Sequence, residues 1–239
     1  MAKSKRPDEQ EFELVPHTRI RQAIGDRTRQ SVNEAPQFRV QKMVIADALV
    51  AFRNRLKQAG ADPLPTYNDM LIKLVAATLP DFPRLNAWYA PEALKLLRDV
   101  NIGFAVDTEE GVLLPTVLNA DEKSLAEIAA ETAELVDLAR RGRLRATLQM
   151  GAGFTISNIG PIGMDIFDAI ISPPQTGILA IGSLIPRPVV VEGEVVVSST
   201  VWLSLTIDHR SVDGADGARF VAAVAEAIAD PAEILASPQ

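Results

Sequence analysis

Asp208-His209-Arg210-Ser211-Val212-Asp213-Gly214 stands between a β-rich apolar run, 194–207, and a final helical pattern, roughly 214–229. An apolar strand ends, four ionisable groups appear within six positions, and a glycine opens the next element. Strand ends are where rigid scaffolds present catalytic groups, so this connector is the first candidate for chemistry. Outward from it, residues 153–159, 177–184 and 188–191 are also β-rich. Residues 100–106 and 112–118 predict two further strands joined by a turn at Glu109, Glu110 and Gly111. Residues 38–45 predict another.

Helical patterns fill the remainder. Residues 18–33 form an arginine-rich helix ended by Pro36. Ala48, Leu49, Phe52 and Leu56 share one apolar face. Residues 67–79 predict a buried helix with Asn68 or Asp69 near its start. Residues 121–141 are the longest pattern, with Leu125, Ile128, Ala129, Leu135 and Leu138 inward, Asp121 as its cap and Gly142 at its end. No internal repeat and no long linker divides the chain. The economical expectation is an arm over residues 1–14 and one α/β domain over 15–239, a mixed sheet with helices on one side.

Composition narrows the chemistry. The chain has 239 residues, 47% apolar and 23% charged, the profile of a globular protein with a sizeable core. A net charge of −7 argues against nucleic acid as the main partner, since phosphate binding needs a basic face. The absence of cysteine removes disulfides, thiolate metal sites and a cysteine nucleophile together, and two histidines cannot build a His-rich metal site. No apolar run approaches a membrane span, and the charged N-terminus has no apolar core of a secretory signal, so no membrane and a cytoplasmic setting are expected.

The motifs resemble a known family. His-x-x-x-Asp-Gly is the active-site signature shared by chloramphenicol acetyltransferase and the acyltransferase (E2) subunits of 2-oxo acid dehydrogenase complexes, and is weak alone. The fuller Asp208-His209-Arg210-x-x-Asp213-Gly214 is similar to the dehydrogenase-complex branch. Gly153-Phe154-Thr155-Ile156-Ser157-Asn158 resembles that branch's Gly-x-Phe-Thr-Ile-Ser-Asn strand. Ile171-Ser172-Pro173-Pro174-Gln175 is similar to its Ile-Asn-Pro-Pro-Gln, and Asn119-Ala120-Asp121-Glu122-Lys123-Ser124-Leu125 to the segment opening its long helix. Val15-Pro16 through Arg21, Ile24 and Arg27 parallel its first helix.

The resemblance implies a trimeric, chloramphenicol acetyltransferase-like two-layer sandwich that transfers an acyl group between dihydrolipoamide and coenzyme A. Such transfer needs a base for the attacking thiol and a donor for the tetrahedral oxyanion. A neutral imidazole suits the first task, so His209 is the expected base by chemistry and by resemblance. Carry-over makes Ser157 the oxyanion donor. It makes Asp213 mainly structural, in an ion pair with an arginine for which Arg21 and Arg210 are the candidates. Gly214 is expected to permit the turn into the last helix, and Asn158 to make a backbone hydrogen bond beside the site. In the family the base and the donor come from different subunits of a homotrimer, which in many members builds a larger cage. The implied partners are a lipoyl domain carrying lipoamide and the E1 and E3 components. His17 reads as a surface residue, and the basic run Arg140, Arg141, Arg143 and Arg145 as a solvated helix end.

Three features depart from the family. The chain shows no lipoyl or subunit-binding domain; the one Asp-Lys-Ala look-alike, Glu122-Lys123-Ser124, belongs to a helix start. The expectation is therefore either a piece of a longer protein or a core served by a lipoyl domain in trans. Pro36-Gln37 stands where the family commonly has Pro-His, and Lys42-Met43-Val44 where it has an acidic pair. The tail after Ile234-Leu235 is Ala236-Ser237-Pro238-Gln239, more polar than the apolar docking segment of the family's cages, which weakens the expectation of a cage relative to a free trimer. Two rival readings keep the same residues: acyl transfer from acyl-CoA to a small alcohol or amine, and an oligomeric scaffold with little activity.

Overall fold

The computed structural model describes residues 12–236, so most of the expected arm and the last residues of the tail lie outside them. The described chain runs α1 (Arg19–Glu34), β1 (Gln37–Ile45), α2 (Asp47–Gln58), α3 (Tyr67–Thr78), β2 (Ala87–Tyr89), β3 (Leu94–Leu96), β4 (Ile102–Phe104), β5 (Val106–Thr108), β6 (Gly111–Leu113) and β7 (Thr116–Val117). It continues through α4 (Leu125–Arg140), β8 (Phe154–Asn158), β9 (Gly177–Ile181), β10 (Ile185–Val191), β11 (Glu194–Asp208), α5 (Gly214–Ala229) and α6 (Ala232–Ala236).

Local chemistry sets the helix starts. Thr18 accepts from the Arg21 N–H at the head of α1. Thr66 and Asp69 form a reciprocal capping box on α3, and Ser124 and Glu127 form another on α4. Ser124, not Asp121, therefore caps the long helix. Asp121 instead sits in the preceding turn, where its carbonyl accepts from the Lys73 ammonium at 2.8 Å. Lys73 is buried within α3, and that burial pushes its amine below the ordinary lysine range, offset in part by the nearby Asp121 and Glu127 carboxylates.

The main sheet has the order β1-β11-β9-β8-β4-β7, with β10 also paired to β11. It is mixed: β4, β8 and β9 run parallel, whereas β1, β10 and β9 are antiparallel to β11, and β7 to β4. Alternation along β11 sends Val201, Leu203, Leu205 and Ile207 into one buried layer. There they meet Phe220, Val221, Val224 and Ile228 of α5, backed by α3. Gly217 lets α5 come down closely, since a Cβ there would lie 3.3 Å from Ile207 and 3.4 Å from Leu205. This is the expected two-layer arrangement of a mixed sheet with helices on one side. The two strands expected over 100–118 are divided: β4 and β7 join the main sheet, while β5 and β6 leave it as a separate hairpin. Among the described residues no helix is long and apolar enough to cross a membrane.

The opposite face of the sheet carries a second row. Gln41 faces Ser204, Ser204 faces Ala180, and Ala180 faces Ser157. Directly paired residues share a face, so Ser157 lies on the side away from the α5 core. Asp168 lies over this row, accepting from Gln41 Nε2 and Ser204 Oγ and pairing with Arg39.

Candidate active site

His209 follows the last residue of β11 and is the point at which the strand leaves the sheet. Its main-chain N–H donates to the Pro36 carbonyl at 3.0 Å, which ties it to the start of β1. The imidazole is 45% exposed and meets Phe38 edge-on, with centroids 5.4 Å apart. Its Nδ1 lies 3.8 Å from an Asp213 carboxylate oxygen, beyond hydrogen-bond length. The structure thus presents an accessible imidazole at a strand end with a carboxylate beside it.

The neighbours of His209 are fixed in a way the sequence did not assign. Asp208 is 1% exposed. Its carboxylate accepts from the Arg210 N–H, from Nε at 3.0 and 3.1 Å, and from Nη2 at 2.6 Å. This pairing raises the Arg210 guanidinium above its ordinary value, against the opposing effect of burial. The guanidinium also stacks 3.7 Å from the centre of the Tyr89 ring. The Asp208 carbonyl accepts from the N–H groups of Ser211 and Val212, closing the turn that follows.

These contacts correct the expected ion pair of Asp213. Arg210 is committed to Asp208. Arg21 lies by the β5–β6 hairpin, where a Cβ on Gly111 would be 3.5 Å from its Nη2. Asp213 is the N-terminal flanking residue of α5, makes no side-chain cap bond, and has a side chain 82% exposed. Gly214 is also reassigned: its φ is not positive, so the turn does not demand glycine there. Asn158 does make the expected backbone bond, its Oδ1 accepting from the Gly160 N–H at 3.0 Å.

Ser157 is half-buried in β8 and is not brought to His209 within the chain. The register places Ser157 level with Ser204, two strands across from β11 and five positions short of His209. At about 4.8 Å per strand and 3.3 Å per residue, the two are about 19 Å apart. One tetrahedral carbon cannot contact both, because base and donor must each lie about 3 Å from the reacting atoms. A cleft of about 480 Å³ opens on the other side of the motif, bounded by Tyr89, Arg210, Asp208 and Pro173-Pro174; His209 is not in its wall.

Sequence reasoning missed Phe38 and Tyr89. Both touch the motif only through the fold, and β2 is a three-residue strand beside Pro91 with no periodic signal. The clamp predicts a stability effect. Arg210→Ala would leave the Asp208 carboxylate buried without its cation, a loss of about 3 kcal/mol or more and a fall in thermal midpoint of about 6–12 °C. Thermal unfolding of the variant, with Asp208→Asn/Arg210→Met recovering part of the loss, checks this; an unchanged midpoint would contradict the clamp.

Known proteins resemble the chain over most of its length. The pyruvate dehydrogenase acetyltransferase component of Rickettsia felis is 35% identical over 229 residues, covering 95% of this chain and 56% of that protein. The chain thus spans about half the length of the curated relatives it matches. A structure of Azotobacter vinelandii dihydrolipoamide acetyltransferase, solved to investigate a serine, a histidine and an asparagine in its catalytic mechanism, superposes with a TM-score of 0.91 at 35% identity, covering 96% of each chain. The cubic core of a pyruvate dehydrogenase multienzyme complex superposes equally, with a TM-score of 0.91 at 35% identity and 96% of each chain covered. Chloramphenicol acetyltransferase shares the fold alone, at 15% identity and a TM-score of 0.52. The pattern of 2-oxoacid dehydrogenases acyltransferase (catalytic domain) matches residues 9–236, and the chain belongs to that family.

Proposed function

We propose that this chain is the acyl-transferring core of a dihydrolipoamide acyltransferase, moving an acyl group between dihydrolipoamide and coenzyme A. The observation that carries the proposal is an accessible His209 at the end of β11 in a chain of this family. In the Azotobacter protein the serine and histidine are separated by the same number of positions as Ser157 and His209. The third residue follows that histidine at the spacing of Asp213, and is an asparagine there.

His209 takes the proton of the attacking thiol, and the thiolate adds to the thioester carbonyl. The Ser157 hydroxyl of a neighbouring subunit donates to the oxyanion. Collapse breaks the original thioester C–S bond and expels the second thiolate, which takes up the proton from the His209 imidazolium and returns the base to its neutral form. The exposed Asp213 carboxylate lies 3.8 Å from Nδ1 of that ring. The separation of Ser157 from His209 within one chain supports a homotrimer with sites shared between subunits. A larger cage, the E1 and E3 components and a lipoyl domain, whether from another part of the polypeptide or in trans, belong to the same proposal.

A direct transfer assay tests it. Purified protein is mixed with acetyl-CoA, succinyl-CoA or a branched acyl-CoA, and dihydrolipoamide is the acceptor. Acetyl transfer is the expected leading activity, since the matched relatives are acetyltransferases. No thioester from any donor, with assembled protein, would overturn the proposal in favour of a different acceptor or a scaffold.

A further inference from the structure

Nothing hydrogen-bonds the His209 ring within the described chain, yet a general base works only in a narrow range of orientations. Nδ1 is 3.8 Å from Asp213, whose side chain is 82% exposed and uncommitted to the helix cap. The contact that does meet the ring is Phe38, second residue of β1, at 5.4 Å between centroids and 69° between planes. This is the favoured edge-to-face geometry of aromatic pairs. The same stretch of β1 holds the His209 main chain through the Pro36 carbonyl.

Phe38 is in turn seated on Gly214. A Cβ built there would lie 3.0 Å from Cε1 of the Phe38 ring, 3.5 Å from Cζ and 3.7 Å from Cδ1. Gly214 opens α5 with an ordinary φ, so no backbone strain accounts for a glycine. On helix propensity alone, alanine would be better by up to about 1 kcal/mol. The space above Gly214 is what the ring uses.

We propose that Phe38 is the positioning residue of His209, and that Gly214 supplies the room in which the Phe38 ring sits. The proposal rests on the reading of His209 as the base. It gives the motif's glycine a part in orienting the imidazole: a side chain at 214 moves Phe38, and Phe38 moves the ring.

Four variants assayed for acyl transfer test this. Phe38→Ala should lower kcat about tenfold with KM for coenzyme A nearly unchanged, as expected for a misaligned base. Phe38→Tyr, which keeps the ring, should retain most of the activity. Gly214→Ala should lower kcat to a similar extent without lowering the thermal midpoint, the opposite of a folding defect. In Phe38→Ala/Gly214→Ala the second change should add nothing, because the ring it displaces is gone. Fully multiplicative losses in the double variant would overturn the role of Gly214, and wild-type kcat in Phe38→Ala would overturn that of Phe38. A His209→Ala control separates the two levels: its inactivity beside a fully active Phe38→Ala sinks this inference alone, whereas an active His209→Ala removes the base and this inference with it.

Discussion

His209→Ala is expected to lower acyl transfer at least about 100-fold while the protein keeps its fold, the low end of what a positioned general base contributes. The fold should survive because little structure depends on the imidazole. The ring is 45% exposed, and the bond that anchors the residue, to the Pro36 carbonyl, comes from its main chain. The Asp208–Arg210 clamp next to it is untouched. The residual activity should have a distinctive pH dependence. Without a base the enzyme relies on the fraction of thiol already ionised. Turnover of the variant should therefore climb about tenfold per pH unit for as long as most of the substrate thiol remains protonated. Turnover at saturating acyl-CoA, followed across pH beside the unaltered protein, measures both effects. Near-normal turnover at neutral pH would remove His209 from the mechanism.

The reasons that made His209 legible also explain what stayed hidden. Its motif is local: six consecutive residues leave a strand and enter a helix, and the types alone imply chemistry. Two helix extents were equally legible. The pattern over 18–33 became Arg19–Glu34, and that over 214–229 became Gly214–Ala229. The long helix starts later than the expected Asp121 cap, because Ser124 and Glu127 close a capping box that apolar periodicity alone does not mark. The strands over 100–118 were read as one hairpin because alternation does not report which partner a strand takes. Here the Ala105 N–H donates to Ile156, and the Phe104 N–H to Pro115, so the chain changes partners midway.

At the site the hidden part is long-range. Phe38 and Tyr89 reach the motif from β1 and β2, and no spacing in the sequence announces either contact. The Asp213 ion pair is an expectation of the family resemblance, with Arg21 and Arg210 as its candidate arginines. The structure spends Arg210 on Asp208, which is the more buried carboxylate and has the greater need of a cation.

Mixed assemblies give the second large effect. Ser157→Ala alone should reduce turnover about 100- to 1,000-fold, the usual loss for one oxyanion donor, with coenzyme A affinity nearly unchanged. Assemblies of His209→Ala alone should be as poor. If each site draws its imidazole from one subunit and its hydroxyl from the next, co-assembling the two variants regenerates intact sites wherever a His209 donor meets a Ser157 donor across the interface. Random mixing in equal amounts restores about a quarter of the sites on average, and the doubly tagged trimers, which all hold both variants, carry about one intact site in three. Neither parent approaches that level, so the gain over both is itself large. Co-expression with distinguishable tags, purification through both tags, and the transfer assay make the measurement. A mixed sample no more active than its components would mean that both groups act from one chain. The register of β8, β9 and β11 keeps them about 19 Å apart there. That result would strike Ser157 from the site and send the search for the oxyanion donor back to groups beside His209.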